Sequence, residues 1–328
     1  MTGYVVWLLS DGAPGHLSQS RGIVDALQAV TTLRVVTVPL KVRSSLWKRL
    51  GRFFLPWIRD PGFWLSRVYD IILPEGRPHL LVSSGANTLL ASALLARHTG
   101  AANVYSGTLK GYHPDAYHCV FTVTPLGVPV NHVLPLPPVP GQLSRPFPPA
   151  TGGKRLAVLV GGDGAGYVWR TGDWQALGRS LSELARRNEA LLLLSTSRRT
   201  GAEAERLLQD NIPAELLADA VWWSQAPRPV VRDFLADAFG VVVTEDSLTM
   251  VAESIYSGRP SVAVRPAEAN ANANDEGALQ AYTHRSLLQR CLVTDLGSIK
   301  LPGESHAVPD VPAEIAAVLL PLLEKTAP

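Results

Sequence analysis

A chain of 328 residues is too long for one small core, and at roughly 100 to 200 residues per domain it predicts two domains. Hydrophobic residues make up 46% and charged residues 18%, which excludes a disordered or fibrous chain, and a formal net charge of +2 lacks the broad basic field that nucleic acid would need. Only Cys119 and Cys291 are present, without metal-ligand or redox spacing, so neither a disulfide framework nor a zinc site is expected and a reducing, cytoplasmic setting fits.

In chain order, the apolar run Tyr4 to Leu9 is strand length and is broken by Ser10 and Asp11, unlike the longer apolar core of a signal peptide. No stretch reaches the roughly 18 apolar residues of a membrane span. Strands are expected at Val5 to Leu9, Arg34 to Val38, Leu80 to Ser83, Asn103 to Ser106 and His118 to Val123, with helices at Ser18 to Val30 and Asn87 to Arg97. Such alternation is the signature of βα repeats around a parallel sheet buried on both faces. Between them, residues 41–69 set Lys41, Arg43, Lys48, Arg49, Arg52, Arg59 and Arg67 among Trp47, Phe53, Phe54, Trp57, Phe63 and Trp64, with Asp60 the single acid. Basic and aromatic residues interleaved in this way suit a membrane surface, with Trp47, Arg49, Phe53, Phe54 and Trp57 as contacts. The alternative is a helical insertion whose aromatics pack on the first domain.

Residues 135–153, "PLPPVPGQLSRPFPPATGG", exclude regular structure because proline fixes φ and lacks a donor. They set the domain boundary: an N-terminal domain over 1–140, a linker over 141–153 and a C-terminal domain over 154–328, whose last helix is free to pack back on the first domain. The second half repeats the scheme, with strands at Leu156 to Val160, Ala190 to Ser195, Ala220 to Trp223, Gly240 to Thr244 and Ser261 to Val264. Helices are expected at Asp173 to Arg187, Ala202 to Asp210, Val230 to Ala238, Ser247 to Ser257 and Val311 to Glu324, and Ala267 to Gly277 reads as a biased loop.

Chemistry is expected at the carboxyl ends of the strands. After the first strand, "SDGAPGH" offers Gly12, Pro14, Gly15 and His16 in a glycine turn that either admits an anion or a polar sugar to backbone N–H groups, or merely turns tightly with His16 capping a helix. In the equivalent position of the second domain, "GGDGAGYVW" offers Gly161, Gly162 and Gly164 for backbone contact with a diphosphate, while Tyr167 and Trp169 read as core or as stacking residues. "STSRRTG" adds Ser197, Arg198 and Arg199, suited to phosphate oxygens. "VVVTEDSLTMVAESIYSGRP" delivers Glu245 and Asp246 at a strand end, Ser247 as helix cap and Glu253 about two turns in. Neither a G-x-G-x-x-G nor a G-x-x-x-x-G-K-[ST] motif is present, which disfavours a nicotinamide cofactor and a P-loop.

These residues resemble the GT-B glycosyltransferases, and Gly12 to His16, Gly161 to Gly164 and Ser247 to Pro260 are similar to the MurG motifs within that class. Over most of the chain, "SDGAPGHLSQSRGI", "GGDGAGYVW", Asp173 with Trp174, "TSRRT", "TEDSLTMVAESIYSGRP" and the Asn-rich loop look like the family of the plant mitochondrial fission (elongated mitochondria) protein and its bacterial relatives. The resemblance implies an α/β, GT-B-like fold of two Rossmann-like domains facing a cleft. It implies a nucleotide-diphosphate sugar as substrate with no cofactor and no metal, and a lipid-linked or polysaccharide acceptor. His16 would then be the base. Gly161, Gly162, Ser197 and Arg198 would hold the leaving diphosphate and Glu253 the ribose, with closure about the linker excluding water. Glu245 and Asp246, where MurG has glycine, leave nucleotide choice open. Two further functions stay in view: a non-catalytic adaptor of the fission-protein type, and a nucleotide-sugar epimerase using Asp163, Glu245 and Asp246.

Overall fold

The computed structural model describes residues 3–151, 153–164, 166–269, 292–296, 299–304 and 307–326. Cys291 and the loop beyond Ala269 lie outside the described residues. The chain divides into two compact units, one formed by Met1–Ser144 with Asp310–Pro328, the other by Arg145–Pro309.

The first unit is a seven-stranded sheet in the order β3-β2-β1-β4-β5-β6-β7. Its strands are β1 (Tyr4–Ser10), β2 (Leu33–Val42), β3 (Tyr69–Ile71), β4 (Leu80–Ser84), β5 (Ala102–Ser106), β6 (Cys119–Thr122) and β7 (Asn131–Val133). All pairs are parallel except β2 with β3. The helices are α1 (Pro14–Gln28), α2 (Ser45–Phe54), α3 (Pro61–Val68) and α4 (Leu89–Thr99). Central strands read as continuous apolar runs because both faces are covered, and Val6 to Leu9, Leu80 to Val82 and Val120 to Phe121 are all buried. β2 runs four residues past the expected Val38, because Lys41 and Val42 find an edge partner in antiparallel β3.

The second unit orders its strands β11-β10-β8-β12-β13-β15, all parallel. These are β8 (Arg155–Leu159), β10 (Leu191–Ser195), β11 (Leu217–Val221), β12 (Gly240–Thr244), β13 (Ser261–Arg265) and β15 (Leu292–Asp295), while β9 (Tyr167–Val168) and β14 (Glu268–Ala269) form a separate antiparallel pair. Counted along the six strands, the order is 3-2-1-4-5-6, that of the dinucleotide-binding doubly wound sheet, which takes its ligands where strand order reverses. That point lies between β8 and β12. In the first unit it lies between β1 and β4. Helices α5 (Thr171–Asn188), α6 (Ala202–Asn211), α7 (Val231–Asp237) and α8 (Leu248–Tyr256) complete the unit.

The proline-rich stretch is not a free tether. Leu134, Leu136, Val139 and Leu143 are buried, and the Gly141 N–H donates to Asp25 Oδ2 at 2.9 Å. Gly22 of α1 lets this strap lie close, since a Cβ there would stand 2.4 Å from the Val139 carbonyl oxygen. Past Ser144 the strap turns to the second unit, where buried Arg259 donates from Nη2 to the Pro148 carbonyl at 2.6 Å. The terminal helix α9 (Val311–Thr326) belongs to the first unit, with Ile315, Leu319 and Leu323 buried.

Candidate functional site

At the first switch point β1 ends at Ser10, and Asp11, Gly12 and Ala13 turn the chain into α1. Gly12 takes φ +80° with nothing within 4 Å of a built Cβ, so left-handed backbone, rather than lack of room, selects glycine. The expected turn through Gly15 is shorter than anticipated. Proline's fixed φ suits the first helical position, so α1 starts at Pro14 and Gly15 lies inside it. His16 therefore stands in the first helical turn. Its Nδ1 lies 3.1 Å from both carboxylate oxygens of Asp11, and the Asp11 side chain is 5% exposed against 42% for His16. Asp11 also accepts from the Ala13 N–H at 3.2 Å and from Asn87 Nδ2 at 3.4 Å. With Nδ1–H donating to Asp11, Nε2 is the ring's proton acceptor. The imidazole rests on Gly85 at the end of β4, where φ is +91° and a Cβ would come within 2.2 Å of Nδ1. Beside this dyad opens a cavity of about 770 Å³, lined by Asp11, Gly12, Asn87 and the aliphatic Leu40, Val42 and Ile72, among others.

At the second switch point the loops after β8, β10 and β12 meet. The Gly161 N–H donates to Thr244 Oγ1 at 2.7 Å and the Gly162 N–H to Asp246 Oδ2 at 2.9 Å. Arg199 Nη2 closes on the same Asp246 oxygen at 2.6 Å, and its Nη1 donates to the Asp163 carbonyl at 3.1 Å. Ser197 and Thr200 both donate to the Gly161 carbonyl. A Cβ on Gly161 would meet Asp246 at 2.0 Å, and one on Gly162 would meet the Arg199 carbonyl at 2.2 Å. The two glycines are thus required by close approach of their own neighbours. An internal carboxylate occupies the anion seat of the turn. Burial pushes the Asp246 carboxyl up against the opposing pull of Arg199 and the Gly162 N–H, and buried Asp246 Oδ1 has no hydrogen-bond partner among the described residues. Both arginines of the pair are exposed, and Arg199 is the one that makes these contacts.

Asp246→Ala leaves a buried N–H unpaired and a guanidinium without its partner. It is expected to lower unfolding free energy by about 2 to 3 kcal/mol, read as a lower urea midpoint at unchanged m-value.

Glu245 turns the other way, its Oε1 accepting from Arg265 Nη2 at 2.8 Å and Nε at 3.2 Å, with the Tyr167 hydroxyl against it. Ser247 caps α8, its Oγ accepting from the Met250 N–H. Glu253 is different in kind. It is 7% exposed, burial alone pushes its carboxyl up to about 8, and its side chain has no hydrogen-bond partner among the described residues. The motif residues Asp173 and Trp174 are structural: Asp173 accepts the Arg170 and Ala267 N–H groups, and Trp174 stacks on buried Trp169 at 4.5 Å and 18°. Among the described residues no three His, Cys, Asp or Glu side chains are grouped to hold a metal.

The basic aromatic segment divides in two. Trp47 packs edge-on against Phe63 and Trp64 at 6.3 and 5.4 Å beside buried Leu55 and Leu65, and is itself half-buried. Phe53 and Trp57 are each 68% exposed, with Leu46 and Phe54 also out. Arg49 and Arg52 border this crest and, with His113 and Tyr112, line a second cavity. Among the described residues no helix is long and apolar enough to cross a membrane.

Residues 143–295 match the family described as Mitochondrial fission ELM1. No curated protein matches the chain. Among solved structures it is similar to S. aureus MnaA determined with UDP, at 9% identity over 99% of this chain and 98% of that one, with a TM-score of 0.53. Acinetobacter baumannii MurG matches at 14% identity over 98% and 93%, TM-score 0.47, and E. coli heptosyltransferase WaaC with ADP-2-deoxy-2-fluoro heptose at 13% over 98% and 100%, TM-score 0.44. At such identities the likeness is one of fold. The fold is the GT-B type, and across the second unit the chain is similar to the Mitochondrial fission ELM1 family.

Proposed function

We propose that the protein is a metal-independent glycosyltransferase that binds a nucleotide-sugar donor on its second unit and an acceptor hydroxyl on its first. The observation that carries the reading is the His16–Asp11 dyad at a strand switch point, beside a cavity with room for an acceptor. In the step, the acceptor O–H gives its proton to His16 Nε2 while its oxygen bonds to the anomeric carbon of the donor. The bond from that carbon to the diphosphate oxygen breaks, and its electron pair leaves with the nucleoside diphosphate. Asp11 holds the imidazole in the required tautomer and stabilises the imidazolium. On the donor side Glu253 accepts from the ribose hydroxyls, and Ser197, Arg198 and Arg199 with the Gly161–Gly162 turn receive the diphosphate, which displaces Asp246 from the Gly162 N–H. Incubation with nucleotide sugars and a lipid-linked or polysaccharide acceptor tests this: release of nucleoside diphosphate that depends on acceptor supports it, and none from any donor refutes it.

The acceptor side also supports a peripheral membrane role on the cytoplasmic face. Phe53, Phe54 and Trp57 supply an amphipathic crest, and Arg49 supplies charge for anionic lipid. Phe53→Asp with Trp57→Asp is expected to cut sedimentation with phosphatidylglycerol vesicles at least tenfold without moving the melting temperature. Unchanged sedimentation removes the membrane from the reading.

One observation favours a second reading, a non-catalytic adaptor on the same fold. The Gly161 and Gly162 N–H groups that a diphosphate would use already have internal partners.

A further inference from the structure

The His16–Asp11 dyad does not end at Asp11. Asn87, in the turn between β4 and α4, gives one amide hydrogen to Asp11 Oδ2 at 3.4 Å, while its Oδ1 accepts from Lys48 Nζ at 2.8 Å. An amide has one acceptor end and one donor end. With an ammonium on Oδ1, the NH2 is the group left to face the carboxylate. The backbone is fixed as well: buried Tyr69 donates from its hydroxyl to the Asn87 carbonyl at 2.9 Å. Lys48 comes from α2, the helix that bears the exposed crest, yet it is half-buried and turned inward.

We propose that Lys48 is a positioning residue for the candidate base, acting through Asn87 and Asp11 to lower the proton affinity of His16. Two effects work in the same direction. The ammonium disfavours a second cation at His16, and by orienting Asn87 it supplies a hydrogen bond that weakens Asp11 as a proton-attracting partner. The charged and titratable groups around His16 are Asp11 from the turn after β1, Lys48 from α2 by way of Asn87, and Tyr105 of β5. Tyr105 is buried and its hydroxyl is pushed up by burial, so it is neutral throughout the range in which histidine titrates. Catalysis enters only through the reading of His16 as base; the relay itself is a property of the unliganded chain.

The test is an NMR titration of the full chain with isotope-labelled histidine, following His16 in the wild type, Lys48→Met, Lys48→Arg and Asn87→Ala. Lys48→Met is expected to raise the His16 midpoint by about 0.5 pH, roughly a threefold change in proton affinity. Lys48→Arg, which keeps charge and donors, is expected to restore most of the wild-type titration. Asn87→Ala is expected to raise the midpoint as Lys48→Met does, and provides a second reading should the lysine variant fold poorly. A His16 titration that stays put, or moves down, in folded Lys48→Met or Asn87→Ala overturns the proposal. The outcome is separable from the transferase reading: a shifted midpoint in a protein that binds no nucleotide keeps the relay and sinks the transferase, and an unshifted one in a protein that binds does the reverse.

Discussion

Glu253→Gln is expected to remove nucleotide binding and, at the same time, to stabilise the protein at alkaline pH. Burial raises the native carboxyl from 4.5 to about 8. Between those two values the native state keeps a proton that the unfolded chain has released, so stability falls as pH rises through the window. The slope is about 1.4 kcal/mol per pH unit, on the order of 4 to 5 kcal/mol by pH 8 and above. Gln carries no such charge, so the variant and the wild type should be about equally stable near pH 4, diverge up to about pH 8 and keep a constant difference above it. Urea unfolding across that range checks this, and parallel curves would contradict the assignment of the shift to Glu253. Binding carries the mirror image. If the ribose hydroxyls need the carboxylate, wild-type affinity should rise about tenfold per pH unit from 6 toward 8, with uptake of nucleotide releasing a proton. Calorimetry in buffers of different ionisation enthalpy would detect that proton.

His16→Ala is expected to leave nucleotide affinity within a factor of about two while lowering turnover by about 100- to 10,000-fold, the range for loss of a positioned general base. Asp11→Asn keeps the volume but removes the charge that stabilises the imidazolium, and should lower turnover by a similar factor with a changed pH profile. If either variant lost donor binding as well, the separation of acceptor chemistry on the first unit from donor binding on the second would be wrong.

The α/β pattern was legible because buried parallel strands write themselves as short apolar runs, and Gly240 to Thr244 was placed to the residue. Elements whose identity depends on a partner were not. β3 is three residues long and exists through its pairing with Leu40 to Val42. α2 and α3 were legible as a basic aromatic segment, but which aromatics turn inward depends on contacts between Trp47, Phe63 and Trp64. Within the site, His16 and Glu253 stood out by type and position. For Asp11 the signal of a dyad is a carboxylate directly after a strand and five residues before a histidine. Lys48 and Asn87 left no sequence signal, lying 39 residues apart. The choice of Arg199 over Arg198 is likewise tertiary, set by which side chain faces Asp246. The double glycine reads in sequence as an opening for phosphate; the structure fills that opening with Asp246 and Arg199.

On the proposed reading the second unit binds a nucleotide diphosphate through Glu253. Calorimetric titration of the full chain with nucleoside diphosphates and nucleotide sugars, without and then with a divalent metal, tests it most directly. Saturable binding of one nucleotide, unaffected by the metal and absent in Glu253→Gln, is the expected result. Silence across the panel from well-folded wild-type protein would contradict it and leave the adaptor as the standing description.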